Sequence, residues 1–257
     1  MVGSDVRKGE TDGQLAGEAH VWLLRPETVR APDAIAAAEA MLSPDEVRAH
    51  RRLRFEDDRH LYLVSHAMLR RVLSRYDNVA PAAWRFSRNR YGRPEIATPR
   101  PALPLRFNLS HTPGLVACIV THTLDCGVDA ELIRPRRYMT GVATRMFAGA
   151  ELQALQSLEG DARLERFFTY WTLREAYGKA CGRGLAGAAG RHYRFEGSGD
   201  AGWQIRFGTA TAEGDGWRFA VRRINDTHML SVALHSTHGP APAIRYRDFD
   251  FQSASEL

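Results

Sequence analysis

At 257 residues, 44% hydrophobic and 25% charged, the chain can bury the core of one large domain or two middling ones, which excludes a disordered tail. Its net charge of +5 suits an anionic partner: nucleic acid, membrane surface, acidic protein or polyphosphate ligand. No apolar run is long enough to span a membrane, the first twenty residues lack an apolar signal core, and Cys118, Cys126 and Cys181 show no metal-knuckle spacing, so a reduced, cytoplasmic protein is expected.

In chain order, residues 1–18 read as disordered, and HVWLLR (20–25) reads as a strand ended by Pro26. Ser43-Pro44-Asp45-Glu46 is a helix start with a serine cap, a proline at the first position and a glutamate at the third. Leu61, Val64, Met68, Val72 and Tyr76 continue at helical spacing, so two helical stretches run to about Tyr76. Trp84–Phe86 is strand-like, Tyr91-Gly92-Arg93-Pro94 is a turn, and Pro99, Pro101 and Pro104 mark irregular chain. Three strands follow at 106–110, 115–121 and 127–131, with HTPG (111–114) turning the chain between the first two. Helices are predicted around 138–147, from Ala150, and from about Ala162 to Cys181, the last capped by Gly182. Short strands at 193–195, 203–207, 217–221 and 229–234 complete the reading. The order predicts an α+β fold of two pseudo-symmetric halves, each a small sheet packed on a long helix. Its expected parts are an N-terminal half over 19–124, a C-terminal half over 125–248 and a flexible tail over 249–257.

Four groups of residues could carry chemistry. Asp129 and Glu131, two apart on a strand, project from one face and suit a hard divalent cation; the plain alternative is an edge pair bridged to Arg134. Trp171, Glu175 and Lys179 follow one another at i,i+4 on the long helix, with Arg174 beside them. Glu175 and Lys179 read equally as an ordinary stabilising helix pair. Lys8 and Lys179 are the chain's lysines among 35 basic residues, which marks Lys179 as a place where a compact ammonium serves better than a guanidinium fork. Ser110-His111 ends a predicted strand; the histidine could meet a phosphate or be a water-bonded loop residue. The cluster Arg48, Arg51, Arg52, Arg54 and Arg59, with Arg93 further on, could converge on phosphates or lie solvated. No P-loop is present, no GxGxxG follows a predicted strand, no GxSxG surrounds Ser110, and no nucleic-acid reader motif accompanies the arginines.

The order of the motifs is more specific than any one of them. FEDDRHLYLVSHAMLRRVL, YGRPEI, FNLSHTPGLVACIV, GVDAEL and FFTYWTLREAYGKACGRGL follow in turn. The run resembles the 4′-phosphopantetheinyl transferases of the Sfp type over about residues 43–190. That family's pattern is a basic helix, G-[KR]-P, [FL]-N-[LIV]-S-H, G-[VI]-D-x-E and W-[ST]-x-[KR]-E-[AS]-x-x-K. Two departures stand out: Ala130 replaces the usual isoleucine, read as a packing variation, and Leu61 stands where the family has an arginine.

The resemblance implies an enzyme that transfers the 4′-phosphopantetheine arm of coenzyme A to a serine of an apo acyl or peptidyl carrier protein, releasing 3′,5′-ADP. It implies Asp129, Glu131 and Glu175 as ligands of Mg²⁺, with Mn²⁺ as a substitute, and Asp129, Glu175 and Lys179 as the catalytic set. Glu175, or a water on the metal, is the implied base, and Lys179 lies beside the pyrophosphate. Arg174, Ser110 and His111 are implied phosphate contacts, Arg93 an adenine or 3′-phosphate contact, and Arg48, Arg52 and Arg59 3′-phosphate contacts. A monomer is expected, with neither nucleic acid nor membrane as partner; fatty-acid, polyketide and non-ribosomal peptide carriers stay open. The alternative is an adaptor that binds coenzyme A or a carrier without catalysis.

Overall fold

The computed structural model describes residues 15, 17–182, 192–197, 202–208, 215–237 and 242–251. The chain passes through β1 (Glu18–Leu24), α1 (Pro32–Met41), α2 (Pro44–Arg52), α3 (Glu56–Ser74), β2 (Arg85–Arg88), β3 (Pro94–Thr98), β4 (Leu105–Thr112), β5 (Leu115–His122) and β6 (Asp125–Leu132). It continues through α4 (Met139–Met146), α5 (Gly149–Gln156), α6 (Gly160–Ala180), β7 (Tyr193–Gly197), β8 (Trp203–Phe207), β9 (Trp217–Ile224), β10 (His228–His235) and β11 (Ala243–Asp248).

Local chemistry sets several of these bounds. At the start of α2 the Ser43 hydroxyl accepts from the Glu46 backbone N–H, and the Glu46 carboxylate accepts from the Ser43 N–H at 2.8 Å, the reciprocal cap that the sequence predicts. The β4–β5 turn needs Gly114 at φ +86°, and α6 ends on Gly182 at φ +66°.

The strands form two main sheets, ordered β11-β1-β5-β4 and β6-β10-β9-β8-β7, with β2 and β3 as a separate hairpin. Period-two alternation explains the layers. In β5, Val116, Cys118 and Val120 face α3, while Leu115, Ala117 and Ile119 face the other sheet. In β10, Leu230, Val232 and Leu234 face that same seam, while Met229 and Ala233 join the cluster around α6. Each sheet therefore carries a long helix on its outer face, and the two inner faces meet in an aliphatic layer. This is the α+β architecture of two similar halves. Among the described residues, no helix is long and apolar enough to cross a membrane.

The structure departs from the expected boundaries at the C-terminus. β11 pairs in parallel with β1, so residues 243–248 belong to the N-terminal sheet. Phe249 and Phe251 are buried in the α3 cluster instead of forming a tail, because two aromatics at period two carry one face of the extended chain inward. Residues 252–257 lie outside the described residues, as does 1–18 apart from Gly17, Glu18 and Leu15, which is buried in the same cluster. α1, β3 and β11 were not anticipated.

Candidate active site

The site lies where the edge strand of one sheet meets the edge strand of the other. Asn108, Ser110 and Thr112 share one face of β4, and their side-chain oxygens accept from the backbone N–H groups of Val128, Ala130 and Leu132 at 3.0, 3.2 and 3.4 Å. Side chains thus replace the backbone ladder between β4 and β6. The register of the two halves is set by three short polar residues at period two.

On the other face of β6, Gly127, Asp129 and Glu131 look toward α6. Gly127 lets the α6 backbone come close, and the carboxylates beyond it meet the stripe Trp171, Glu175 and Lys179. Lys179 Nζ donates to Asp129 Oδ1 at 2.7 Å, to Ser110 Oγ at 3.0 Å and to the Val128 carbonyl at 3.1 Å. Ser110 Oγ in turn donates to Asp129 Oδ1 at 3.1 Å. The seam thus brings together the side chains of Ser110 from β4, Asp129 from β6 and Lys179 from α6.

The carboxylates differ in their state. Asp129 is buried, and its Oδ2 has no hydrogen-bond partner; Glu175 Oε1 is likewise buried and unpartnered. Burial pushes the Asp129 carboxyl up, against the pull of Lys179. Burial first, and the negative charge of Asp129 second, push Glu175 up to about 7. Two desolvated carboxylate oxygens without a hydrogen-bond partner, on two carboxylates that share the single ammonium of Lys179, fit a hard cation. Glu131 is committed elsewhere: it accepts from Arg136 Nη2 at 2.7 Å and from Trp171 Nε1 at 3.2 Å. Arg136, and not Arg134, is its ion-pair partner. Among the described residues, no three His, Cys, Asp or Glu side chains gather closely enough to hold a metal, so the expected three-carboxylate set is not assembled in this arrangement.

Two family models match the chain: "4′-phosphopantetheinyl transferase, N-terminal" over residues 30–123 and "4′-phosphopantetheinyl transferase superfamily" over 125–233. A 4′-phosphopantetheinyl transferase, HetI, of Nostoc sp. is 33% identical over 175 residues, 67% of this chain and 72% of that protein. This chain belongs to the 4′-phosphopantetheinyl transferase superfamily. A phosphopantetheinyl transferase of Thraustochytrium sp. is 30% identical over 248 residues, 88% of this chain and 83% of that protein. The Sfp transferase of Bacillus subtilis is 30% identical over 148 residues, 57% of this chain and 63% of that protein. Among solved structures, a holo-(acyl-carrier-protein) synthase of Bacillus anthracis, described in complex with CoA (3′,5′-ADP), has a TM-score of 0.37 and 13% identity, covering 45% of this chain and 98% of that one.

The other expected contacts of this transferase are placed unevenly. Arg174 is fully buried: it pairs with Glu151, itself 1% exposed, and stacks on Tyr193 at 4.6 Å among Phe147 and Phe195. It cannot touch a phosphate, because the residue before Glu175 lies about 100° round the helix and faces the core. Arg93 is also turned inward, onto the carbonyls of Ala180 and Cys126. Arg59 donates to the carbonyls of Leu53 and Arg54 and so braces the bend between α2 and α3. Arg48 and Arg52 are exposed on α2, Arg48 beside Asp45. His111 is exposed on the face of β4 opposite Ser110. Sequence reasoning passed over Asn108 and Thr112, whose signal was their period-two spacing around Ser110. It also passed over Arg136, one cation in the run Arg134-Pro135-Arg136-Arg137.

Proposed function

We propose that the transferase moves the 4′-phosphopantetheine arm of coenzyme A onto a serine hydroxyl of an apo acyl or peptidyl carrier protein. The bond formed joins the serine oxygen to the phosphorus of the arm. The bond broken links that phosphorus to the nucleotide, which leaves as 3′,5′-ADP. The observation that carries this reading is the pair of unpartnered, buried oxygens on Asp129 and Glu175 beside the Lys179 ammonium. It is the arrangement that phosphoryl transfer needs, where positioning and charge neutralisation do most of the work.

Asp129 and Glu175 would hold Mg²⁺ or Mn²⁺, with Glu131 joining them once it gives up Arg136. When bound, the ion supplies positive charge to the diphosphate. Lys179, oriented by Asp129, Ser110 and the Val128 carbonyl, stabilises charge building on the departing oxygen. Glu175 takes the proton of the serine hydroxyl. His111, Arg48 and Arg52 are the side chains left facing outward for the phosphates of coenzyme A. Both halves of one chain contribute to the seam, which supports a monomer, and three free thiols suit a cytoplasmic setting.

The test is mass spectrometry of an apo carrier protein incubated with the chain, coenzyme A and Mg²⁺. A mass gain of one phosphopantetheine is the expected result. No gain, with coenzyme A and carrier still bound, would replace this reading with that of an adaptor.

A further inference from the structure

Arg93 ties the two halves together at the end of α6. Its side chain is buried, with Nη1 donating to the Ala180 carbonyl at 2.8 Å and Nη2 to the Cys126 carbonyl at 3.3 Å. Asp125 adds a carboxylate 4.0 Å from Nη1. Asn89, on the same hairpin turn, donates from Nδ2 to the Gly182 carbonyl at 3.0 Å, while its Oδ1 accepts from the backbone N–H groups of Tyr91 and Arg93. The last carbonyls of a helix lack intrahelical donors, and the helix dipole favours a cation there. Here a guanidinium and an amide from the N-terminal half fill that need.

The placement matters because of what adjoins it. Ala180 follows Lys179 directly, and Cys126 opens the stretch of β6 that leads to Asp129. One guanidinium fork therefore spans the helix and the strand that carry the Lys179–Asp129 pair. We propose that Arg93 is a positioning residue: it pins the last turn of α6 against β6 and so sets the Lys179 ammonium beside Asp129, and its guanidinium does not contact coenzyme A. The inference rests on the transfer reading above for its kinetic arm, while its spectroscopic arm needs no turnover.

Lys8 and Lys179 are the chain's only lysines, so ¹³C labelling at lysine Cε yields two signals, and Lys179→Ala assigns them. In the protein without coenzyme A, Arg93→Gln is expected to move the Lys179 signal and leave that of Lys8 in place. Asn89→Ala should act in the same direction, more weakly. In transfer assays Arg93→Gln is expected to lower kcat on the order of 10–100-fold, the range that misplacing a reacting group by about 1 Å can produce. The KM for coenzyme A and the preference for coenzyme A over 3′-dephospho-coenzyme A should stay unchanged, and adding Arg93→Gln to Lys179→Ala should cost nothing further. An unmoved Lys179 signal overturns the proposal. So does a raised KM with a lost preference for the 3′-phosphate, which would make Arg93 a ligand. So does an additive loss in the double variant, which would mean fewer folded molecules. If Arg93→Gln does not fold, the Lys179 signal in Asn89→Ala decides alone. A wild type that transfers nothing sinks the transfer reading and leaves the spectroscopic comparison intact.

Discussion

Gly127 lies directly under the Ala176 carbonyl: a β-carbon built on it would stand 2.0 Å from that oxygen and 2.6 Å from the Ala180 amide nitrogen. Both obstacles are backbone, so neither can rotate away. The strand and helix approach until Asp129 meets Lys179, and the absence of one side chain permits it. Gly127→Ala should force α6 outward. Overpacking costs about 1–3 kcal/mol in typical cores, and a rigid backbone places this case at the upper end. Transfer should fall by more than the stability loss explains, since the Lys179–Asp129 contact opens as well. Urea denaturation alongside turnover checks both; an unchanged midpoint would mean that the helix can slide.

Glu175 offers a test of the cation that does not depend on turnover. Its carboxyl is raised from an ordinary 4.5 to about 7, by burial before any neighbouring charge. The folded state therefore holds a proton that the unfolded state gives up between these values, and stability declines as pH rises from 4.5 to 7. Glu175→Gln is spared that decline. In chelator its advantage over wild type should grow across this window, levelling above pH 7 on the order of 3 kcal/mol. Added Mg²⁺ should raise the Tm of the wild type and not that of Glu175→Gln or Asp129→Ala. Both variants should lose at least about 100-fold in transfer. Equal Mg²⁺ stabilisation in all three proteins would remove the ion from this site.

Much of this site was legible before any coordinates. Period two put Asp129 and Glu131 on one face, and i,i+4 spacing put Trp171, Glu175 and Lys179 on another. The structure sets those two faces against each other. The arginines were less legible, for a physical reason. An arginine reads as a surface cation unless its partner is known, and the partners of Arg174 and Arg93 lie 23 and 87 residues away. Burial of Arg174 follows from Glu151, which by itself looks like any acidic residue in a first helical turn. β11 escaped notice because its side chains are half-buried and rich in charge, and only its pairing with β1 makes it a strand.

Glu46 couples the basic helix to α3. Burial alone would raise its carboxyl, but hydrogen bonds from His66 and the Ser43 N–H, with the charge of Arg70, outweigh it and hold the group at about 2. Its contribution to stability is therefore full above the ordinary 4.5 and is lost as pH falls toward 2. Glu46→Gln should destabilise the protein by about 1–3 kcal/mol at pH 7. The gap to wild type should narrow below pH 4.5. Thermal denaturation from pH 7 down to 3 follows it, and a gap that stays constant with pH would show that Glu46 acts through packing and not charge.

Arg174 separates a role in folding from a role in binding. Its guanidinium is enclosed by Phe147, Tyr193 and Phe195 and paired with a carboxylate that also accepts from the N–H groups of Ala148 and Phe195. Removing one partner leaves the other charge buried and uncompensated, a loss of about 3–5 kcal/mol. Arg174→Met should therefore unfold at much lower urea, whereas Arg174→Met combined with Glu151→Gln should recover part of the loss. The folded fraction of either variant should retain the wild-type KM for coenzyme A, because the side chain faces the core and not the cleft. A KM raised tenfold or more, with stability kept, would place Arg174 on a phosphate after all and contradict the packing seen here.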